Sequence, residues 1–155
     1  MTMFRGFFEH TINPQGRVSL PAKFRQVLEV LYSKKLVLVA LPDRIEAYPE
    51  EVYRKKEKED ISLPADDPRV LEYLVMQHSN VWEVDIDGQG RMLMPPKVKQ
   101  DAGLEKGVIF VGLMDRILIF NPEQWEAYIK GARERHQENS LLVSRLKRSG
   151  GEPAE

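Results

Sequence analysis

The chain contains no cysteine among its 155 residues. That removes disulfides and thiolate metal sites, and it fits a reducing compartment. Long apolar runs are missing too. The longest, LVLVAL from Leu36 and VIFVGLM from Val108, fall far short of the roughly 20 residues that a membrane-spanning helix needs. The opening MTMFRGFFEH has no apolar stretch of the length a secretory leader uses, so a cytoplasmic protein is expected. Nor does one sign of charge dominate: 23 basic against 24 acidic residues leave a net charge of −1. Nucleic-acid-binding chains are often basic overall, so any such binding here must rest on local charge rather than on the total. Histidine is scarce, and His10, His78 and His136 have no metal-ligand spacing. GLEKG at Gly103–Gly107 lacks the strand–loop–helix context of a phosphate loop. Asp66 and Asp67 suit a helix cap better than an acid–base pair. No convergent catalytic set remains, so the expectation is a protein without enzymatic activity, metal or cofactor.

What the chain does have is a repeat. NPQGRVSLPAKFR opens at Asn13, and DGQGRMLMPPKVK opens at Asp87, 74 positions later. Across 12–25 and 86–99, six of 14 positions are identical, among them the Gly-Arg step (Gly16-Arg17, Gly90-Arg91), Pro21/Pro95 and Lys23/Lys97. A second block follows at an offset of 72: VALPDRI (Val39–Ile45) and VGLMDRI (Val111–Ile117) agree at five of seven positions. One supersecondary unit is therefore used twice.

Within each unit a strand runs to Asn13 or Asp87, and a polar turn reverses the chain. Gly16 and Gly90 stand where the turn needs a positive φ. A second strand ends at Pro21 or Pro95, because proline cannot donate to a ladder yet suits a first helical turn. Phe24, Val27, Leu28 and Leu31 then recur at helical spacing, and the second copy's helix is shorter, closing near Gly103. Strands over 36–41 and 44–48, and over 108–113 and 116–120, form hairpins. The chain accordingly divides into a first repeat (3–53), a helical insert (54–80), a second repeat (81–128), and a C-terminal helix with a disordered tail (129–155). In the insert, Asp67 and Pro68 start a helix carrying Val70, Leu71, Leu74 and Val75 on one face. Phe4, Phe7 and Phe8 belong to the core or to a subunit contact, with base stacking as the alternative.

A structural hairpin needs the glycine and the apolar alternation. It does not need arginine directly after the glycine, or lysine two residues after the proline, and both cations occur in both copies. Arg17 and Arg91 offer planar forks that match phosphate or the major-groove edge of guanine. Lys23, Arg25, Lys97 and Lys99 fall in a first helical turn, where free N–H groups and the dipole favour an anion. Between Thr11 and Arg25 there are three basic residues and no acid. Together these residues form a two-lobed anion-binding surface.

The pattern D-x-x-G-R-h-x-h-P-x-x-h-R (h, apolar), present twice around a helical insert after the MFRG of Met3–Gly6, resembles the MraZ family over roughly 3–135. These bacterial proteins are related to the AbrB/SpoVT type of swapped-hairpin DNA-binding domain. The resemblance implies an α+β, β-rich fold in which tandem AbrB/SpoVT-like hairpins interleave into a pseudo-twofold β-barrel. It also implies a transcriptional regulator that binds repeated G-rich boxes in double-stranded DNA upstream of the division and cell-wall gene cluster, its own promoter included. Such a protein would be nucleoid-associated and would assemble as a ring-shaped homo-oligomer. By motif position, Arg17 and Arg91 become the DNA-contacting arginines, with Lys23, Arg25, Lys97 and Lys99 positioning phosphates. Three residues depart from the pattern: Asn13 replaces its acid, Lys99 its final arginine, and Pro96 follows Pro95. The two lobes are therefore expected to read DNA unequally. Two alternatives use the same residues: a ring-forming scaffold that binds proteins, and an AbrB-type antitoxin-like regulator.

Overall fold

The computed structural model describes residues 3–150. Strand β1 (Phe4–Thr11) leads through a turn to β2 (Arg17–Ser19), then to helix α1 (Ala22–Leu31) and the hairpin β3 (Lys35–Ala40)–β4 (Ile45–Pro49). Helices α2 (Glu50–Asp60) and α3 (Pro68–His78) follow. The same series then recurs as β5 (Val81–Asp85), β6 (Arg91–Leu93), α4 (Pro96–Asp101), β7 (Gly107–Met114) and β8 (Arg116–Phe120). The chain ends on α5 (Pro122–Glu134) and α6 (His136–Gly150). It divides into two compact units at Pro122/Glu123.

Local sequence accounts for the element boundaries. Pro21 is extended (φ −52°, ψ 137°) and α1 begins at the next residue, burying Phe24, Val27 and Leu28. Leu31, the last residue of that helix, lies beyond the core and is 49% exposed, so it does not complete the expected face. Asp67 caps α3 as expected, its side chain accepting from the Arg69 N–H at 2.9 Å, with Pro68 in the first turn.

In the first unit, six strands form an antiparallel sheet in the order β1-β7-β8-β4-β3-β5, and β2 pairs with β6 in a two-stranded ribbon. The halves exchange strands: β1 pairs with β7, and β5 pairs with β3. Reading the order from either end gives the same series of equivalent strands, so a pseudo-twofold axis relates the halves. Its position follows from the register. In the ribbon Val18 faces its own equivalent, Met92, and in the sheet Glu46 faces its equivalent, Leu118. The α+β class, the tandem units and the interleaving agree with expectation, but the barrel does not close. No ladder joins the edge strands β1 and β5. The ribbon strands have three residues each and soon meet Pro21 or Pro95, too short a run to bridge both edges.

One face of the sheet, with the inner side of the ribbon, α1 and α4, encloses the main core. Phe4, Phe24, Leu36, Leu38, Val98, Phe110, Ile117 and Ile119 are all within 1% of complete burial there. On the other face Val37, Val39 and Tyr48 cluster with Tyr53 of α2. Tyr53 Oη and His78 Nδ1 lie 2.7 Å apart, and His78 Nε2 lies 2.8 Å from Asp60 Oδ2, which ties α2 to α3. Burial pushes the Tyr53 phenol up to about 12, aided by the nearby carboxylates of Glu57 and Asp60.

The second unit holds the two C-terminal helices. Lys147–Gly150, expected within a disordered tail, form the last turn of α6. Lys147 and Arg148 there complement the negative end of the helix dipole, and Ser149 Oγ donates to the Arg145 carbonyl at 3.0 Å. The remainder of that tail, 151–155, lies outside the described residues. Among the described residues no helix is long and apolar enough to cross a membrane.

Candidate nucleic-acid interface

The two motif turns have the same geometry. The Gly16 N–H donates to the Asn13 carbonyl at 2.9 Å and the Asn13 N–H to the Arg17 carbonyl at 2.9 Å. In the second copy Gly90 donates to Asp87 at 3.0 Å, and Asp87 to Arg91 at 2.9 Å. Both glycines take the expected positive φ, +91° at Gly16 and +79° at Gly90. Asn13 Oδ1 braces its turn by accepting from the Arg17 N–H at 2.8 Å. Asp87 Oδ1 does the same for Arg91 (3.0 Å) and also accepts from Gln89 (2.8 Å). Asparagine thus keeps the bond to the arginine N–H, and the acid accepts one bond more.

From these turns the ribbon runs inward to the pseudo-twofold axis. Arg17 faces Leu93, Val18 faces Met92, and Ser19 faces Arg91. Two flanking bonds lengthen the pairing, from the Leu20 N–H to the Gly90 carbonyl (2.9 Å) and from the Met94 N–H to the Gly16 carbonyl (2.8 Å). Because alternate side chains point to opposite faces, Val18 and Met92 point inward, each 1% exposed. Arg17, Ser19, Arg91 and Leu93 share the outer face. The two arginines are diagonal neighbours there, on the order of 7–8 Å apart at the backbone.

The cations are not equally free. Among the described residues the Arg17 guanidinium has no hydrogen-bond or ion-pair partner. Arg91 Nε donates to Asp87 Oδ2 at 3.2 Å. The Asp87 carboxyl is held below the usual carboxylate range, chiefly by the Arg91 backbone N–H, with Gln89 N–H and the Arg91 side chain adding to it. Arg25 is committed to the fold: its Nε donates to Glu29 Oε1 (3.0 Å) and its Nη2 to the Gly88 carbonyl (2.8 Å). Lys97 Nζ pairs with Asp101 Oδ2 at 3.0 Å. Lys23 is exposed and Lys99 half-buried, and neither has a side-chain partner among the described residues.

A family model described as "MraZ protein, putative antitoxin-like" matches residues 3–72 and 79–144, one match for each half. The chain belongs to the MraZ family. Its relatives match it over most of their own length. "Transcriptional regulator MraZ" of Syntrophobacter fumaroxidans is 31% identical over 134 residues, which cover 86% of this chain and 89% of that one. The protein of the same name from Syntrophomonas wolfei is 32% identical, covering 88% and 93%. The one from Anaeromyxobacter dehalogenans is 36% identical over 121 residues, covering 77% and 84%.

One polar cluster of this MraZ-family chain escaped the sequence. Glu46, only 8% exposed, accepts from Tyr48 Oη at 2.6 Å and from Arg44 Nη2 at 2.7 Å, at the sheet end of the axis. Arg116 lies over the Tyr48 ring, 4.8 Å from its centroid, and donates to the Tyr48 oxygen at 3.1 Å. Burial, then the bond to Glu46, raise the Tyr48 pKa far above that of a free phenol. The repeated Asp-Arg of the second sequence block (Asp43-Arg44, Asp115-Arg116) was its only trace. Among the described residues, no group of three or more His, Cys, Asp or Glu side chains is placed to hold a metal ion.

Proposed function

We propose that this chain is a DNA-binding transcriptional regulator that lays the β2–β6 ribbon in the major groove. The observation that carries the proposal is the pair of arginines, Arg17 and Arg91, on the outer face of a ribbon whose pseudo-twofold axis passes between them. A two-stranded ribbon fits a groove about 12 Å wide, and arginine is the commonest reader of guanine O6 and N7. The relatives named as transcriptional regulators support the same reading. Lys23, Lys97 and Lys99 position the backbone phosphates, and Arg25 contributes its charge from a braced position. The G-rich boxes are repeated, and a ring of protomers engages several at once, so weak single contacts gain through avidity. That arrangement reconciles a net charge of −1 with DNA binding in the cytoplasm, at the nucleoid. The target is the promoter region of the division and cell-wall gene cluster, the protein's own promoter included.

The test is a binding titration at near-physiological salt against the promoter upstream of the protein's own gene and a shuffled duplex. Wild type and the Arg17→Ala/Arg91→Ala double variant are compared, with oligomer size measured for each. Each arginine lost from a base edge costs about 1–3 kcal/mol, so the double variant should lose the preference for the promoter and keep its oligomer size. Equal, weak binding of both duplexes by both proteins would sink the proposal and favour a protein-binding scaffold.

A further inference from the structure

The two lobes of the ribbon differ in one outward residue each, and this difference has a use. The pseudo-twofold axis exchanges Arg17 with Arg91 and Ser19 with Leu93. Leu93 is 50% exposed, sits directly across from Arg17, and carries its Cδ1 to within 3.5 Å of where a Cβ on Gly16 would lie. The first lobe therefore presents a guanidinium without a partner among the described residues, beside an apolar methyl pair. In the second lobe the equivalent place across from Arg91 holds the short, polar Ser19. There Gly90 is covered by Arg25, whose Cδ lies 2.7 Å and Nη1 2.9 Å from where a Cβ would be. Leu93 leaves half of its surface exposed on a face otherwise made of arginine and serine, while the core side of β6 is supplied by Met92.

We propose that Leu93 is a specificity-determining residue, packing on the 5-methyl group of a thymine next to the guanine read by Arg17. In the major groove the thymine methyl is the feature that an apolar side chain can recognise. Ser19 offers no such contact, so the second lobe accepts a wider choice of base beside its guanine. The near-symmetric ribbon then lies on DNA in one direction only, with the Leu93 lobe at the thymine side. This inference rests on the DNA-binding function proposed above.

The experiment uses the full-length protein and the duplex carrying the promoter upstream of its own gene. Each thymine of one box is replaced singly by deoxyuridine, which removes the methyl and keeps the pairing. Binding is titrated by fluorescence anisotropy at fixed salt for wild type, Leu93→Ser and Ser19→Leu, with thermal unfolding of each variant as a folding control. In wild type one thymine should respond, weakening binding about fourfold, the weight of one methyl group taken from water. In Leu93→Ser that position should become indifferent to the methyl. In Ser19→Leu a second thymine, related to the first by the axis, should begin to respond. If no thymine responds in wild type while the promoter is still preferred over the shuffled duplex, the role of Leu93 is overturned and the DNA-binding function stands. An unchanged ratio of thymine to uracil binding in Leu93→Ser would overturn that role equally. Loss of the promoter preference in wild type itself would overturn both.

Discussion

Arg25 joins the two halves of the chain: its Nη2 donates to the carbonyl oxygen of Gly88 at 2.8 Å, across 63 residues of sequence. The side chain that was expected to meet a phosphate is in place as a strut beneath the opposite turn. Arg25→Ala should therefore destabilise the fold by about 1 kcal/mol, the value of a charged hydrogen bond at a partly exposed site. Lys99→Ala, which removes the equivalent but unpaired cation, should stay within about 0.5 kcal/mol of wild type. Urea unfolding midpoints of the two variants distinguish them.

The same strut makes the two motif glycines unequal. At either position alanine must adopt a left-handed conformation, at a cost of about 1–2 kcal/mol. At Gly16 the added Cβ would meet the Met94 carbonyl oxygen at 3.3 Å, whereas at Gly90 it would meet Arg25 Cδ at 2.7 Å and expel it. Gly90→Ala should be the more destabilising by about the worth of the Arg25 bond. Combining Gly90→Ala with Arg25→Ala should recover part of the loss, and a double-mutant cycle by thermal unfolding measures how much.

Glu46 offers a test of the buried cluster. Removing its carboxylate leaves Tyr48 Oη without its acceptor and takes one of the partners of Arg44. Glu46→Ala should cost about 3 kcal/mol. Glu46→Leu copies what the axis places opposite, Leu118; it leaves the same donors without their acceptor but fills the volume, and should cost less than Glu46→Ala. Denaturant unfolding of both variants decides; equal losses would mean that packing contributes nothing at this site.

Acid should act selectively on the second turn. The folded-state pKa of Asp87 lies below its ordinary 3.8. Its contribution to stability is therefore present above about pH 4 and is lost as the pH falls through the folded value. Asn13 in the first turn does not titrate. Asp87→Asn should flatten the acid limb of the melting-temperature profile between about pH 4 and 2 while leaving the turn bonded as Asn13 leaves its own. The same substitution releases the Arg91 guanidinium, so its effect on DNA affinity at neutral pH should be a gain or no change.

Much of the candidate interface was legible because it is local. Glycine at a forced positive φ, proline at the strand-to-helix switch and the cap at Asp67 each act within a few residues, and each was found where the sequence put it. Pairing partners were harder. Alternation says which side chains of RVS and RML point inward, but not which strand lies alongside. Nothing in β2 marks β6, rather than β1, as its neighbour; the swapped arrangement came from the family resemblance. The commitments of the cations were hidden for the same reason. Arg25 and Arg91 look alike on paper, yet one reaches across the molecule to Gly88 and the other back to Asp87. The Glu46 cluster depends on β4 and β8 lying side by side at the axis, which no local pattern announces. Glycine and charge suggested a tail from Lys147 onward, whereas Lys147 and Arg148 lie in the last turn of α6.

The exchange of strands also sets an order of events during synthesis. β1 leaves the ribosome well before β7, and its register pairs Phe4 with Met114 and Thr11 with Gly107, so it has no ladder until nearly the whole first unit has been made. Until then its aromatic residues line an open strand edge, the kind of surface that invites misassociation and chaperone capture. A chain terminated early would carry Arg17 but no β6 to pair with β2. The ribbon therefore exists only once the second half of the chain has closed over its beginning.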